Sequence, residues 1–314
     1  MQIKKSLKGS ALFFYGIYTG NKDTGETESS LNYFIKLYEQ VGKMDSIKAF
    51  ICDMDGVIYK SPNLIPGALD FIQRLKDGNF KFLFLTNSSY HTTGYMVSRL
   101  EEMGIDVEED NIFTSAIATA NFLQYQTKDR DGACSAYVIG GAGLMVELEK
   151  IGVEITNKNP DYVIVGETEE YDYEKIIEAT HLIHEGARFI ATNSDLTGPT
   201  QRGPVPACGA LVAPLERVTG VKPYFLGKPN PAMMYWARKR LGARSHQCFM
   251  IGDRMDTDII GGLESGMTTC LVLSGVTSRK AADKYPYKSD YIFNSVGDIY
   301  PDQILSRREI YETK

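Results

Sequence analysis

A pair of aspartates, Asp53 and Asp55, directly follows an apolar run that begins at Ala49. Carboxylates two residues apart on an extended chain lie on the same side of it. The first could therefore attack phosphorus, while the second protonates a leaving alcohol and later activates water. Gly56 would let the chain turn sharply after the pair. The segment is suited to phosphoryl transfer.

Three further segments carry groups that would complete such a site. Thr86, Asn87 and Ser88 follow a second apolar run and offer hydroxyl, amide and backbone donors, so we expect them to bind phosphate oxygens. Lys228, in a Gly-Lys-Pro sequence, would set a positive charge against the transferring group.

The fourth segment is an apolar run that ends in carboxylates, which predict a metal site. Asp53, Asp253 and the backbone carbonyl of Asp55 provide the oxygen ligands that Mg²⁺ prefers. Such an ion would also oppose the mutual rise in pKa of crowded carboxylates. Asp258 is predicted to stand behind these ligands, where it holds Lys228 or a metal-bound water.

Each segment alone is equally compatible with a turn or a helix cap. Their coincidence is informative, because ligands of open parallel sheets bind outside the carboxyl ends of the strands. We therefore interpret the four segments as one phosphoryl-transfer site.

The elements between these segments alternate between strand and helix, which predicts an α/β fold with a Rossmann-like, doubly wound parallel sheet. The run Phe80 to Asn87 is nearly continuously apolar, as expected for a strand covered on both faces. The first predicted helices are Pro66 to Gly78, Thr92 to Gly104, and Ser115 to Gln126 with Ser115 as N-cap.

A polar stretch from Thr127 to Gly132 precedes a second α/β series, which we interpret as a domain inserted into the first. Its predicted helices are Leu144 to Ile151, Tyr173 to Glu185, and Ala210 to Thr219. The first series then resumes with helices at Pro231 to Leu241 and Asp256 to Gly266. The predicted division is an extension of unknown role over 1–43, a core over 44–126 and 223–305, an insert over 127–222, and a tail over 306–314.

Composition limits the classes of partner. A formal charge of −6 leaves no electrostatic footprint for nucleic acid, and 43% apolar residues suit a globular core. No run reaches the roughly 18 apolar residues of a membrane span. Lys4 to Gly20 imitates a secretory signal without a convincing cleavage site. Five scattered cysteines favour reduced thiols and a cytoplasmic protein.

Four motifs, DMDGV, LTNSS, GKP and GDRMDTD, resemble in this order those of the haloacid-dehalogenase-type phosphohydrolases. Relatives that cleave carbon–halogen bonds lack the second acid of the first motif, and the ion pumps carry Thr at that position. An aspartate there, as at Asp55, resembles the motif of the phosphatases and phosphomutases. The insert lies between LTNSS and GKP, as in the branch with a large α/β cap. The stretches ATNSDLTGP, PACGAL and VLSGVTS resemble NagD-like nucleotide phosphatases and their p-nitrophenylphosphatase relatives.

This resemblance implies a cap that closes over the core and selects the substrate, with Asn193 and Asp195 as substrate contacts. Ser194 stands where the family often has Pro, and relatives vary at Ser88 and Ser89, so substrate preference is not implied. The expected protein is a Mg²⁺-dependent phosphomonoesterase that works through an aspartyl-phosphate on Asp53. Its expected substrates are small, such as nucleoside monophosphates or sugar phosphates, and it could form a homo-oligomer through the cap.

Two other functions are compatible with the same residues. A phosphotransferase or mutase would pass the phosphoryl group to an alcohol instead of water. A phosphoacceptor regulator would keep a stable acyl phosphate, which a water-activating Asp55 argues against. Outside the motifs, GGAG (140–143) is interpreted as a strand-to-helix turn, and His181 with His184 as a helix face.

Overall fold

The structure is a computed structural model that describes residues 46–130, 134–200, 203–305, 307 and 310. The predicted extension over 1–43 lies outside the described residues, as does most of the predicted tail over 306–314. The described strands are β1 (Ala49–Cys52), β2 (Tyr59–Lys60), β3 (Asn63–Leu64), β4 (Lys81–Thr86), β5 (Ile112–Thr114), β6 (Ser135–Ile139), β7 (Glu154–Ile155), β8 (Tyr162–Val165), β9 (Arg188–Ala191), β10 (Thr197–Thr200), β11 (Gly203–Pro206), β12 (Tyr224–Phe225), β13 (Cys248–Gly252), β14 (Thr268–Val272) and β15 (Tyr291–Phe293).

The described α-helices lie between these strands. They are α1 (Ala68–Asp77), α2 (Thr93–Glu102), α3 (Ser115–Gln126), α4 (Ala142–Lys150), α5 (Tyr173–His184), α6 (Cys208–Leu211), α7 (Ala213–Thr219), α8 (Pro231–Arg240), α9 (Ile260–Glu264) and α10 (Arg279–Ala282). Among the residues described, no helix has the length and apolar character needed to cross a membrane.

In the described chain, six parallel strands form the first sheet in the order β15-β14-β13-β1-β4-β5. This confirms the predicted α/β class. Its central strands are buried on both faces, because α1 and α2 cover one face while α3 and α8 cover the other. Burial on both faces is the reason that β4 is nearly continuously apolar.

A second sheet contains five parallel strands in the described residues, in the order β12-β9-β8-β6-β7. Tyr224 and Phe225 pair with β9, so this sheet extends past residue 222, where the insert was predicted to end. An isolated pair of aromatic residues fits a strand of either sheet, and only the tertiary pairing decides between them. The other predicted domain limits remain predictions.

Helix α3 packs against both sheets. Ile117 and Ala118 belong to the core of the first sheet, whereas Ala116 and Leu123 pack with the second. A helix that is apolar around most of its circumference has both sides covered, and this burial explains the lack of a polar face between residues 115 and 120. The two sheets therefore share one helix, which packs in the same core cluster as residues of β1 and β4.

Several predicted helix limits need correction. Thr114, not Ser115, is the N-cap of α3, because its side chain accepts the amide hydrogen of Ile117. The helix predicted over 210–219 is two helices, α6 and α7, which meet at Val212. Pro214 cannot donate a hydrogen bond back to Ala210, so one continuous helix would lack that bond.

The helix predicted to begin at Asp256 starts differently. A wider π-helical turn, Met255–Ile259, precedes the regular helix α9. Single π-turns are frequent at functional sites, and this one contains Asp258.

Candidate active site

Asp53 lies at the carboxyl end of β1 and forms a buried ion pair. Its backbone amide donates to the carbonyl of Ile251 at 2.9 Å, which holds the residue between β1 and β13. Lys228 Nζ lies 2.7 Å from Asp53 Oδ1 and 2.8 Å from Asp258 Oδ1. Lys228 is 3% exposed and Asp258 is fully buried, so the two ion pairs are shielded from water. The predicted contact between Asp258 and Lys228 is therefore present.

Asn87 holds the backbone of Lys228. Its side-chain oxygen accepts the Lys228 amide hydrogen at 2.7 Å, and its nitrogen donates to the Lys228 carbonyl at 3.2 Å. The same nitrogen donates to Asp195 Oδ2 at 2.9 Å. The side-chain amide of Asn87 thus has protein partners for both of its ends. The phosphate contact predicted for Asn87 remains a prediction, whereas its positioning of Lys228 was not predicted.

Thr86 and Ser88 lie on either side of Asn87. Thr86 is buried at the end of β4, and its hydroxyl accepts the backbone hydrogen of Ser88 at 3.1 Å. The backbone of this turn therefore lies at the same sheet edge as Asp53, as the parallel topology requires. The structure brings the three predicted phosphate-binding residues to the site, and their contact with phosphate remains a prediction.

Asp253 follows β13 and is enclosed by a loop over 274–277. The Val276 amide donates to Asp253 Oδ2 at 2.6 Å. A Cβ atom at Gly275 would lie 1.9 Å from that oxygen, so only glycine fits here. Ser274 donates to the carbonyl of Gly56 at 2.6 Å, which links this loop to the turn after Asp55. The VLSGVTS stretch thus orients Asp253.

Three buried carboxylates meet at this edge and fit a metal ion. One oxygen from each of Asp53, Asp253 and Asp258 lies within 4.8 Å of the others. Lys228 is the cation in ion-pair contact with two of them. The donors are all hard oxygens, and an excess of buried negative charge favours a divalent cation such as Mg²⁺. The side chain of Asp55 lies outside this group, which leaves its predicted contribution through the backbone carbonyl as a prediction.

Burial and crowding govern the protonation of these groups. Burial, with the charges of Asp258 and Asp253, raises the pKa of Asp53, while Lys228 opposes the rise. Burial and the neighbouring Asp258 raise the pKa of Asp253 to about 6. Burial alone would lower the pKa of Lys228, but Asp258 and Asp53 raise it above its ordinary value. Lys228 is therefore charged at neutral pH.

Asp55 has two neighbours that the sequence did not reveal. Burial raises its pKa, while the positive charges of Arg99 and Lys228 and a hydrogen bond from Tyr59 lower it. The Arg99 guanidinium lies 4.8 Å from the centre of the Tyr59 ring. Gly56, with a φ of 78°, makes the predicted turn after Asp55 and donates to the Tyr59 carbonyl. No sequence motif marks Tyr59 or Arg99.

The two predicted cap contacts lie next to Asn87. Asn193 is fully buried and donates to the Asn87 carbonyl at 2.7 Å. Asp195 accepts from Asn87 and also pairs with Arg254 at 3.4 Å, which joins the second sheet's loop to the GDRMDTD motif. Both residues reach the site, while their contact with substrate remains a prediction.

Glu167 is a further residue that the sequence analysis missed. It follows β8 and accepts the Ser89 amide hydrogen at 2.7 Å. Burial raises its pKa, and hydrogen bonds from Ser89 and Asn193 oppose this rise. Its position after a strand was the available signal, but nothing in the sequence indicates that the carboxyl ends of the two sheets face each other.

The segments outside the four motifs have ordinary structural contacts. GGAG is a strand-to-helix turn before α4, as predicted, and Gly143 donates to the Tyr90 carbonyl. His184 Nδ1 lies 2.9 Å from the Thr180 carbonyl within α5. Neither segment belongs to the carboxylate group found among the described residues.

Sequence comparison defines the class of protein. The haloacid dehalogenase-like hydrolase family matches residues 50–154, and the related HAD-hydrolase-like description matches residues 225–299. The dihydroxyacetone phosphatase of Corynebacterium glutamicum (strain R) is 44% identical over 251 residues, which cover 80% of this chain and 90% of that relative. The chain belongs to the haloacid dehalogenase-like hydrolases, and within them it is a phosphoric monoester hydrolase.

The particular branch follows from two further relatives. The ribonucleotide monophosphatase NagD of Escherichia coli (strain K12) is 41% identical over 254 residues, with 81% of this chain and 98% of NagD covered. The solved 4-nitrophenylphosphatase of Thermotoga maritima has a TM-score of 0.76 at 35% identity, over 81% of this chain and 97% of its own. The predicted resemblance to NagD-like phosphatases is thus confirmed.

Proposed function

We propose that this phosphatase hydrolyses small phosphate monoesters through a covalent aspartyl-phosphate on Asp53. The observation that carries the proposal is the buried contact of 2.7 Å between Lys228 and Asp53, with Asp55 two residues along the chain. A carboxylate held by backbone at a strand end, beside a fixed positive charge, suits nucleophilic attack on a phosphoryl group.

The reaction has two steps. An oxygen of Asp53 forms a bond to phosphorus as the bond to the ester oxygen breaks, and Asp55 gives its proton to the departing alcohol. Asp55 then takes a proton from water, whose oxygen attacks phosphorus and breaks the bond to Asp53. The products are the alcohol and inorganic phosphate, and both aspartates return to their starting forms. The raised pKa of Asp55 supports its role as acid and base.

Lys228 serves the transferring group in this proposal. Its ammonium is held by Asp53, Asp258 and the Leu85 carbonyl, so it needs no reorganisation when negative charge moves toward phosphorus. Donors at Thr86, Asn87 and Ser88 would bind the phosphate oxygens, chiefly through the backbone and hydroxyl groups that the turn leaves for them.

We propose that Asp53, Asp253 and the Asp55 backbone carbonyl hold Mg²⁺, with Asp258 behind them. The cluster of buried carboxylate oxygens supports this choice. When bound, the ion would polarise a phosphoryl oxygen and favour the ionised forms of the carboxylates.

The proposed substrates are small phosphate esters of the nucleoside monophosphate or sugar phosphate kind. Relatives named ribonucleotide monophosphatase and dihydroxyacetone phosphatase support this class. Loops of the second sheet lie against the site at Asn193 and Asp195, which supports selection by size. A phosphorylated small molecule as partner, a cytoplasmic location and a homo-oligomer formed through the cap remain part of the proposal.

The direct test replaces Asp53 with Asn and measures hydrolysis of p-nitrophenyl phosphate with Mg²⁺. We expect a loss of kcat on the order of 10⁴-fold or more, because the nucleophile acts as one unit with its neighbours. The control Glu154→Gln alters an exposed carboxylate on β7 and should keep wild-type activity. Undiminished hydrolysis by the Asp53→Asn enzyme would remove the nucleophile from this position.

Two further measurements separate the steps. Asp55→Asn should still bind inorganic phosphate yet barely turn over, since proton transfer is lost while the phosphate site remains. Product analysis with an added alcohol acceptor distinguishes hydrolysis from transfer to an alcohol.

A further inference from the structure

Glu167 lies where the carboxyl ends of the two sheets meet. Its Oε2 accepts the Ser89 amide hydrogen at 2.7 Å, and its Oε1 lies 3.2 Å from Asn193 Nδ2. Its own amide donates to the Ser89 hydroxyl at 3.1 Å. Ser89 belongs to the turn after β4, whereas Asn193 follows β9. One carboxylate from the second sheet therefore joins a loop of each sheet.

The partners of Glu167 require a carboxylate. Each of its two oxygens faces a hydrogen-bond donor, from the Ser89 backbone and from the Asn193 amide. A glutamine has one oxygen and one NH₂ group, so it would set a donor against one of these donors. The matched replacement thus keeps the size of the side chain and loses one of the two contacts.

These contacts continue to the catalytic lysine. Asn193 donates to the Asn87 carbonyl at 2.7 Å, and Asn87 holds both backbone polar groups of Lys228. A Cβ atom at Gly227 would lie 2.7 Å from Asn87 Oδ1 and 2.8 Å from Asn193 Cβ. Gly227 therefore packs directly against both asparagines, with no room for a side chain of its own.

We propose that Glu167 is a positioning residue of the phosphatase reaction. It fixes the turn 87–89 through Ser89 and Asn193, and this turn presents the phosphate donors and the backbone of Lys228. Glu167 does not touch the reacting atoms in this proposal. The inference rests on the proposed function, because it assigns phosphate binding to the turn after β4.

The test compares Glu167→Gln with Glu169→Gln, which alters an exposed acid two residues further along the chain. We expect Glu167→Gln to raise both the KM for p-nitrophenyl phosphate and the inhibition constant of inorganic phosphate about tenfold. A displaced turn also misplaces Lys228, so kcat should fall, with kcat/KM reduced on the order of 10²-fold. Glu169→Gln should retain the wild-type constants.

A purely structural role predicts a different pattern. Partial unfolding would lower the active fraction and the thermal midpoint but leave KM and the phosphate inhibition constant within twofold of wild type, and that result would overturn the proposal. A double-mutant cycle with Asn193→Ala adds an independent measurement. Glu167→Gln should cost clearly less in the Asn193→Ala background, since one of its two contacts is then already absent. Equal cost in both backgrounds would also contradict the proposal.

The outcome is distinguishable from failure of the proposed function. If Asp53→Asn kept full activity while Glu167→Gln raised KM and the phosphate inhibition constant, the nucleophile assignment would fail and the positioning role would stand. The reverse pair of results would retain the nucleophile and remove Glu167.

Discussion

The two parallel sheets share one architecture and use their carboxyl ends differently. At the first sheet, β4 ends at Thr86, while Asp53 and Asp253 follow β1 and β13, and Lys228 forms an ion pair with Asp53. At the second sheet, β8 and β9 are followed by Gly166 and Thr192, and the residues beyond them bond to the first sheet's loops. The carboxyl end of the first sheet, the charged edge, contains the buried charged groups. The carboxyl end of the second sheet, the docking edge, forms hydrogen bonds with the loops around them.

This difference shows that parallel topology brings strand ends together without deciding their use. Chemistry requires ionised groups that remain close despite burial, which is costly unless they are paired. Contact between the two sheets requires instead that their backbones approach closely. Glycines serve the second need, since a Cβ atom at Gly143 would lie 2.2 Å from the His91 carbonyl oxygen.

The strongest test of the charged edge replaces Lys228 with Met in the presence of EDTA. Asp53 and Asp258 would then be buried without their cation, and we expect unfolding to require about 3–5 kcal/mol less at pH 8. Burial raises the pKa of Asp53, so folding favours its protonated form. The cost therefore shrinks as the pH falls toward 5, because the carboxyl group takes up a proton in the folded state before it does so in the unfolded state.

Urea unfolding at the two pH values measures this effect. Lys239→Met, at an exposed position in the last turn of α8, provides the control and should change stability little. A Lys228→Met protein as stable as wild type at pH 8 would show that the charged edge does not depend on this ion pair.

A second test enlarges the loop that encloses Asp253. In Gly275→Ala the new Cβ atom would lie 1.9 Å from Asp253 Oδ2, so the carboxylate or the loop must move. We expect kcat to fall about tenfold to a hundredfold, since small displacements at a reacting centre are costly. Steady-state kinetics over a range of Mg²⁺ concentrations would measure the change.

The matched control for this test is Gly94→Ala in α2, where a Cβ atom would make only ordinary van der Waals contact with the Glu109 side chain, at 3.6 Å. It should leave kcat unchanged and add up to about 1 kcal/mol of stability through helix propensity. If both alanine variants had the same kcat, the tight enclosure of Asp253 would not contribute to activity.

The smallest expected effect on activity comes from the docking edge. Gly143→Ala would press against the His91 carbonyl and should destabilise the protein by about 1–3 kcal/mol, as overpacking does. The new Cβ atom would press against the backbone of His91 and Ser89 and not against the charged groups, so kcat should fall less than in Gly275→Ala, whereas the thermal midpoint should drop. Gly198→Ala on β10, whose Cβ atom would lie 3.9 Å from Val205, should change neither quantity. A loss of kcat as large as that of Gly275→Ala would erase the distinction between the two edges.

The charged edge was largely predictable from sequence. Asp53, Asp55, Lys228 and Asp253 follow strand or turn signals, and parallel strands place their carboxyl ends together wherever they lie in the chain. Thr114 and Ser115 show the limit of local signals, because both carry a hydroxyl and only one caps α3. The preference depends on Ser115 donating to the Asn87 carbonyl across the sheet edge.

The docking edge was not predictable in the same way. Glu167 meets Ser89 although 78 residues separate them, and Arg254 meets Asp195 across the two sheets. Sequence spacing carries no information about such pairs, because they depend on how the two sheets pack, with α3 in contact with both.

Residue type and the alternation of strand and helix therefore determined the α/β class and indicated the proposed nucleophile and its proposed proton partner, because these depend on local geometry and the shared direction of parallel strands. Tertiary structure alone decided which side chains hold that machinery in place. Glu167 and Arg254 acquire their contacts from the packing of one sheet against the other, and Tyr59 acquires its contact with Asp55 from the turn at Gly56.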